Sequence, residues 1–268
     1  MLIKELDHYF DAVPRSDSDP IEVGPFTLFV SRAPFPYYAR PSRNHPGPIL
    51  PTDLELLEKA SASRDLDLSI EWIHETHPEM ASVAADFGLE VHTYALLVAT
   101  VTDLKSPGSE PAAVRIIGSE EVAIEHGLAV AEISFGLGGT DIGQGGTEDR
   151  VAMVSTLSAP RIEHQRDRIQ RGLTVAAVIE SKDGVLASGS YQRANEMAEI
   201  TGVATLPAYR KRGFGGALTA LLAKHAFESG VKTILLSAED DKVARVYARI
   251  GFQQVGHTCA AQRVKIEK

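Results

Sequence analysis

Residues Val203 to Leu218 read V-A-T-L-P-A-Y-R-K-R-G-F-G-G-A-L. Arg210, Lys211 and Arg212 supply three positive charges. Gly213, Gly215 and Gly216, with Phe214 between them, leave the backbone bare, so amide N–H groups can approach an anion closely. An apolar strand ending in Val203-Ala204-Thr205 leads into this run, and a helix follows at once through Gly216-Ala-Leu-Thr-Ala-Leu-Leu. A helix starting there adds unpaired N–H donors and the positive end of its dipole. The chemistry these residues suit is the holding of a pyrophosphate.

Two common phosphate cradles do not fit. A P-loop needs Lys-Ser/Thr after its last glycine, and Gly216 is followed by Ala217-Leu218. The dinucleotide fingerprint needs G-x-G-x-x-G, and this chain has Gly213-Phe-Gly-Gly. The order Arg210-x-x-Gly213-x-Gly215, after a strand and Leu206-Pro-Ala-Tyr-Arg, resembles the acetyl-CoA motif of the GNAT superfamily of N-acetyltransferases. A second segment resembles the same family. Thr233-Ile-Leu-Leu-Ser reads as a short buried strand and Lys242 to Ile250 as an amphipathic helix. Gly251 stops that helix and Phe252 begins a strand, giving Tyr247-x-x-x-Gly251-Phe252. The resemblance spans about residues 113–264.

It implies an α/β fold, a mixed twisted sheet flanked by helices, and acetyl-CoA as co-substrate. Amine acetylation needs a polarised thioester carbonyl, a neutral amine and a protonated leaving thiolate. The resemblance gives the strand Val203-Ala204-Thr205 the task of meeting the pantetheine, with the Val203 N–H on the carbonyl oxygen. Tyr247 takes the place of the tyrosine that protonates the thiolate. Glu199 takes the place of a carboxylate base, with Glu196 and Tyr191 as fallbacks. Strand alternation puts Glu199, Thr201 and Val203 on one face. Arg210 to Gly216 form the pyrophosphate cradle.

The bulk composition describes a soluble globular protein. The chain has 268 residues, 44% hydrophobic content and a formal charge of -9, with mean hydropathy -0.07. Acidity argues against nucleic acid as a partner, and no apolar run reaches membrane length. The start has no signal-peptide shape. The single cysteine, Cys259, excludes an internal disulfide and fits a reducing, cytoplasmic setting. His74-Glu-Thr-His77 lacks the spacing of a zinc helix, and no metal is expected.

Further elements must position these residues. Strands are expected over 113–118, 174–180, 185–193 and 197–205. Helices are expected from Ser119, as a capping residue, and from Ser158 to about Arg171. Gly136 to Gly146 reads as a flexible loop, which the resemblance implies walls the acceptor, with Asp141 and Gln144 the residues whose replacement would test it. Two domains are expected, 1–108 and 109–268, joined by a linker at Lys105–Pro111. The first resembles a degenerate copy of the second. Shifted by 163 residues, Gly88 falls on Gly251 and Leu68–Trp72 on Val231–Leu235, while the cradle becomes the proline-rich 46–51. Proline has no N–H to offer, so this copy is expected to bind no CoA. The aromatic, basic stretch Arg32–Arg43 is a candidate for the acceptor wall. The expected activity is transfer of acetyl from acetyl-CoA to an amine, on a small molecule or a peptide. The competing reading is a non-catalytic acyl-CoA sensor or scaffold. A homodimer is left open.

Overall fold

The computed structural model describes residues 2–43, 45, 47–105 and 114–263. In chain order the first half holds α1 (Leu2–Ala12), β1 (Ser18–Val23), β2 (Phe26–Ser31), β3 (Arg40–Pro41), α2 (Pro51–Ala62), β4 (Ser69–Ile73), α3 (Met80–Asp86) and β5 (Glu90–Ala99). There follow β6 (Val114–Ile117), α4 (Ala123–Gly136), α5 (Thr147–Val154), α6 (Ala159–Gln170), β7 (Thr174–Ser181), β8 (Gly184–Ala194) and β9 (Met197–Thr205). The chain then forms α7 (Phe214–Glu228), β10 (Thr233–Ala238), α8 (Asp241–Ile250) and β11 (Gln253–Gln262). Two compact units result: Met1–Leu96 with Val255–Lys268, and Leu97–Gln254. From Val255 the last strand therefore groups with the N-terminal unit, although the sequence reading kept it with the C-terminal half. The linker residues from Ser106 to Pro111 lie outside the described residues, as does Ala113, the expected start of β6. Among the described residues no helix is long and apolar enough to cross a membrane.

In the N-terminal unit β1 and β2 form an antiparallel hairpin. Its turn passes through Gly24 at φ 56°, a left-handed value that glycine adopts without strain. β11 pairs antiparallel with β4, Cys259 opposite Trp72. Phe26, Leu54, Leu57, Ile70, Trp72 and Met80 belong to one buried cluster. His257 Nδ1 lies 3.0 Å from Glu75 Oε1. Shifted by 163 residues, Pro51 at the start of α2 falls on Phe214 at the start of α7, and Glu90–Ala99 falls on Gln253–Gln262. Both Gly88, at φ 85°, and Gly251, at φ 114°, are left-handed. At the start of α2, Pro51 has no N–H, and the Leu50 N–H donates to Asp53 Oδ2 at 2.8 Å. Pro46 of this segment lies outside the described residues.

In the C-terminal unit the strands run in the order β10-β9-β8-β7-β6. β6 to β9 pair antiparallel and β10 joins β9 in parallel, so the sheet is mixed. Ile124, Val130 and Ile133 of α4 pack on Val178, Leu186 and Ala204. α4 comes close because of Gly127, where a Cβ would stand 3.3 Å from Ser188 Cβ.

The helix expected from Ser119 instead begins at Ala123. Glu121 Oε1 takes the Gly118 N–H at 2.8 Å and holds the intervening turn. α5 was not expected. Asp149 Oδ2 accepts the Gly146 N–H at 2.7 Å and caps it. From α5 the buried Arg150 reaches the Asp183 carbonyl at 3.0 Å, pinning the turn between β7 and β8.

Candidate active site

The site starts from an irregularity in β9. Ser188 pairs with Ala204 and Ser190 with Thr201, so Gly202 and Val203 together face Gly189 alone. This is a β-bulge, and Gly202 meets its backbone demand at φ 63°. The extra residue resets the alternation. Glu199, Thr201 and Ala204 oppose Gln192, Ser190 and Ser188, and opposed residues share a face. That face is the one α4 covers, since Ser188 Oγ donates to the Gly127 carbonyl at 2.8 Å. Val203 turns to the other side. It lies 3.2 Å from where a Gly189 Cβ would be, with Leu222 of α7 at 3.4 Å. The expectation that Glu199, Thr201 and Val203 share one face is thus corrected, because an inserted residue inverts a period of two.

On its other edge β9 pairs with β10 only from Met197↔Thr233 to Glu199↔Leu235. Beyond Glu199 the two strands carry no paired residues. The sheet opens there, and the backbone from Ile200 to Thr205 faces the opening.

α7 enters this opening with its N-terminus. Gly213 sits before it at φ 80°, and Lys211 is left-handed too, at φ 62°. A Cβ on Gly213 would meet nothing within 4 Å. At Gly215 the nearest atom would be Val203 Cγ1 at 3.7 Å, and at Gly216 Ile250 Cδ1 at 3.8 Å. Internal packing therefore does not require glycine at 215 or 216, where it costs a helix about 1 kcal/mol each.

The basic residues are already engaged. Arg210 donates to the carbonyls of Ser134, Gly138 and Asp141 at 3.0, 3.1 and 3.1 Å. Lys211 Nζ lies 2.8 Å from Asp141 Oδ1. The Arg212 guanidinium lies over the Tyr209 ring at 4.9 Å.

α8 forms the facing wall. Asp240 Oδ1 caps it by accepting the Val243 N–H at 2.8 Å, and Gly251 ends it. Tyr247 is 9% exposed, and burial pushes its phenol up to about 12. A phenol so placed keeps its proton near neutral pH and has one to donate.

These walls enclose one cavity of about 770 Å³. Glu199, Val203, Ala204, Thr205, Tyr247 and every residue from Arg210 to Gly216 line it. Those are the residues the sequence singled out, and they come from three separate elements. Lys242 adds a fourth cation to the lining, which also carries the acids Asp141, Glu199 and Glu239.

Residues 149–252 match the family model described as the acetyltransferase (GNAT) family. This segment is a GNAT domain. The α/β fold extends the likeness over almost the whole chain. A GCN5-related N-acetyltransferase from Kribbella flavida is similar at TM-score 0.72 and 20% identity, covering 98% of this chain and 95% of that one. A GCN5-related N-acetyltransferase-like protein from Streptococcus suis is similar at TM-score 0.56 and 14% identity, covering 97% of each. A tandem GNAT protein from the clavulanic acid biosynthesis pathway is similar at TM-score 0.55 and 16% identity, covering 91% of this chain and 80% of that one. No curated protein matches the sequence.

From the glycine-rich loop, Gly138, Gly139, Thr140 and Asp141 line the same cavity as the cradle and Glu199. The Gly143 N–H donates to the Pro207 carbonyl at 3.1 Å and the Ala208 N–H to the Gly145 carbonyl at 3.0 Å, so the loop is fastened to the chain that enters the cradle. Ser237 and Glu239, at the open end of β10, line the cavity as well. They stand where β10 no longer pairs with β9, past Leu235. The fallback Glu196 pairs with Lys232 at 2.6 Å, and Tyr191 Oη lies 3.0 Å from His225 Nδ1. Neither lines this cavity.

Proposed function

We propose that the GNAT domain transfers an acetyl group from acetyl-CoA to an amine held in the same ternary complex. The observation that carries this reading is the convergence of the β9 bulge, the glycine N-terminus of α7 and Tyr247 on one cavity. Glycine at 215 and 216, which internal packing does not require, suits the close approach of a pyrophosphate to helical N–H groups. Acetyl-CoA would supply the thioester.

The chain's own residues divide the remaining work. The Val203 N–H, in the bulge, is the donor for the carbonyl oxygen, a contribution worth about 3–4 kcal/mol in comparable sites. Tyr247 gives its proton to the leaving sulfur. Glu199, on the face shared with Ser190, takes the amine proton. The same inventory favours a single CoA site per chain, because the start of α2 offers a proline and an acid where α7 offers bare N–H groups.

Thiol release from acetyl-CoA, followed with and without added amines, tests the proposal. Amine-dependent release is expected. Tight acetyl-CoA binding with no amine-dependent release would instead favour the sensor or scaffold reading.

A further inference from the structure

A second cavity, of about 310 Å³, lies in the same C-terminal unit and shares Phe135 and Gly202 with the first. The two therefore meet at the β9 bulge. Much of its wall is apolar, with Ile117, Leu128, Ala176 and Val178 among the lining residues. Among the residues lining it, only Glu132 of α4 and Arg161 of α6 are charged, and they form an ion pair. Their side chains are each 38% exposed. Pairs that exposed are weak and exchange partners readily. Arg161 uses Nη1 for this contact, while a guanidinium carries five N–H donors in a planar fork that matches a carboxylate. Gln165 also lines the cavity, one helical turn after Arg161 and on the same face of α6.

These features select among amines. The volume lies at the bottom of the range for small-molecule sites and suits a molecule of amino-acid size, not a peptide. The lining carries one acid and one base, so a polycation finds no excess of acid. An amine with a purely apolar body would leave Arg161 with nothing new to bind.

We propose that this cavity holds the acceptor and that the acceptor is a small amino carboxylate. This rests on the acetyltransferase reading above. The carboxylate takes the free donors of Arg161 and Gln165, the body lies on Leu128 and Ile117, and the amino group points to Gly202. There the amine nitrogen bonds to the thioester carbonyl carbon as the carbon–sulfur bond breaks. The nitrogen loses a proton to Glu199, and the thiolate gains one from Tyr247, which solvent restores.

The test compares matched acceptors at saturating acetyl-CoA: phenylalanine against phenethylamine, 6-aminohexanoate against hexylamine, and spermidine alone. At least one amino carboxylate should exceed its partner roughly tenfold or more in kcat/KM. Arg161→Gln should remove that preference through KM and leave acetyl-CoA affinity unchanged. Glu132→Gln, which frees Arg161, should lower KM for the same acceptor. The inference is overturned if phenethylamine, hexylamine or spermidine is the better substrate, if no amino carboxylate is acetylated, or if Arg161→Gln leaves the preference intact. Calorimetry separates the two levels. Loss of acetyl-CoA binding sinks the acetyltransferase reading and this one with it, whereas normal binding with the wrong acceptor class sinks this one alone.

Discussion

Lys211 Nζ stands 2.8 Å from the Asp141 carboxylate, so a cation of the cradle is already matched by an acid of the glycine-rich loop. The hydrogen bond and charge of Lys211, followed by the charge of Lys242, hold the Asp141 carboxyl below its ordinary range. A pyrophosphate arriving at Lys211 has to displace this carboxylate or share the cation with it. Asp141→Asn removes the competitor. Acetyl-CoA affinity should rise by roughly two- to fivefold, the scale of an exposed ion pair, and the gain should shrink at high salt. Isothermal titration at two salt concentrations checks this. Weaker binding by the variant would instead make Asp141 an organiser of the cradle.

Tyr247→Phe keeps the ring and its tilted contact with Phe252 at 6.1 Å but removes the proton donor. The maximal rate should fall by about 10²-fold or more, with acetyl-CoA affinity unchanged. A stability signature accompanies the loss. Burial raises the phenol from 10.0 to about 12, so between those values the folded chain keeps a proton that the unfolded chain has released. Stability from this group is full below pH 10 and is lost as pH rises toward 12. Denaturant titrations should show wild type declining more steeply than Tyr247→Phe across that window.

Gly251 and Gly213 are both left-handed but differ in surroundings. A Cβ on Gly251 would run into the Asp103 carbonyl, while one on Gly213 would meet nothing within 4 Å. Gly251→Ala should therefore cost about 3 kcal/mol or more from strain and collision together. Gly213→Ala should cost only about 1–2 kcal/mol of backbone strain. Urea unfolding of the two variants gives the comparison, and equal losses would show that collision at Gly251 contributes nothing.

Much of this site was legible because its signals are local. β9 and α8 follow the expected bounds since turn residues bracket them, and Gly251 marks its own stop. The cradle announces itself through glycines in consecutive helical positions. What the sequence hid depends on contacts between distant segments. The bulge is a mismatch of register between two strands, and Gly202 alone does not reveal it, yet it sends Val203 to the opposite face from Glu199. Arg210 looks like an anion ligand until the carbonyls of Ser134, Gly138 and Asp141 are placed around it. α5 is short and follows a glycine-rich run, so its periodicity carries little weight. Glu132 and Arg161 stand on different helices with no motif linking them, and only packing gives them a shared cavity.

The proposed activity requires that one glycine cradle per chain binds acetyl-CoA. Calorimetric titration of acetyl-CoA into the wild-type protein and into Gly215→Glu tests it most directly. One site per chain is expected in wild type and none in the variant, which puts a carboxylate where the pyrophosphate would approach. No binding to wild type, two sites per chain, or unchanged binding by Gly215→Glu would contradict it.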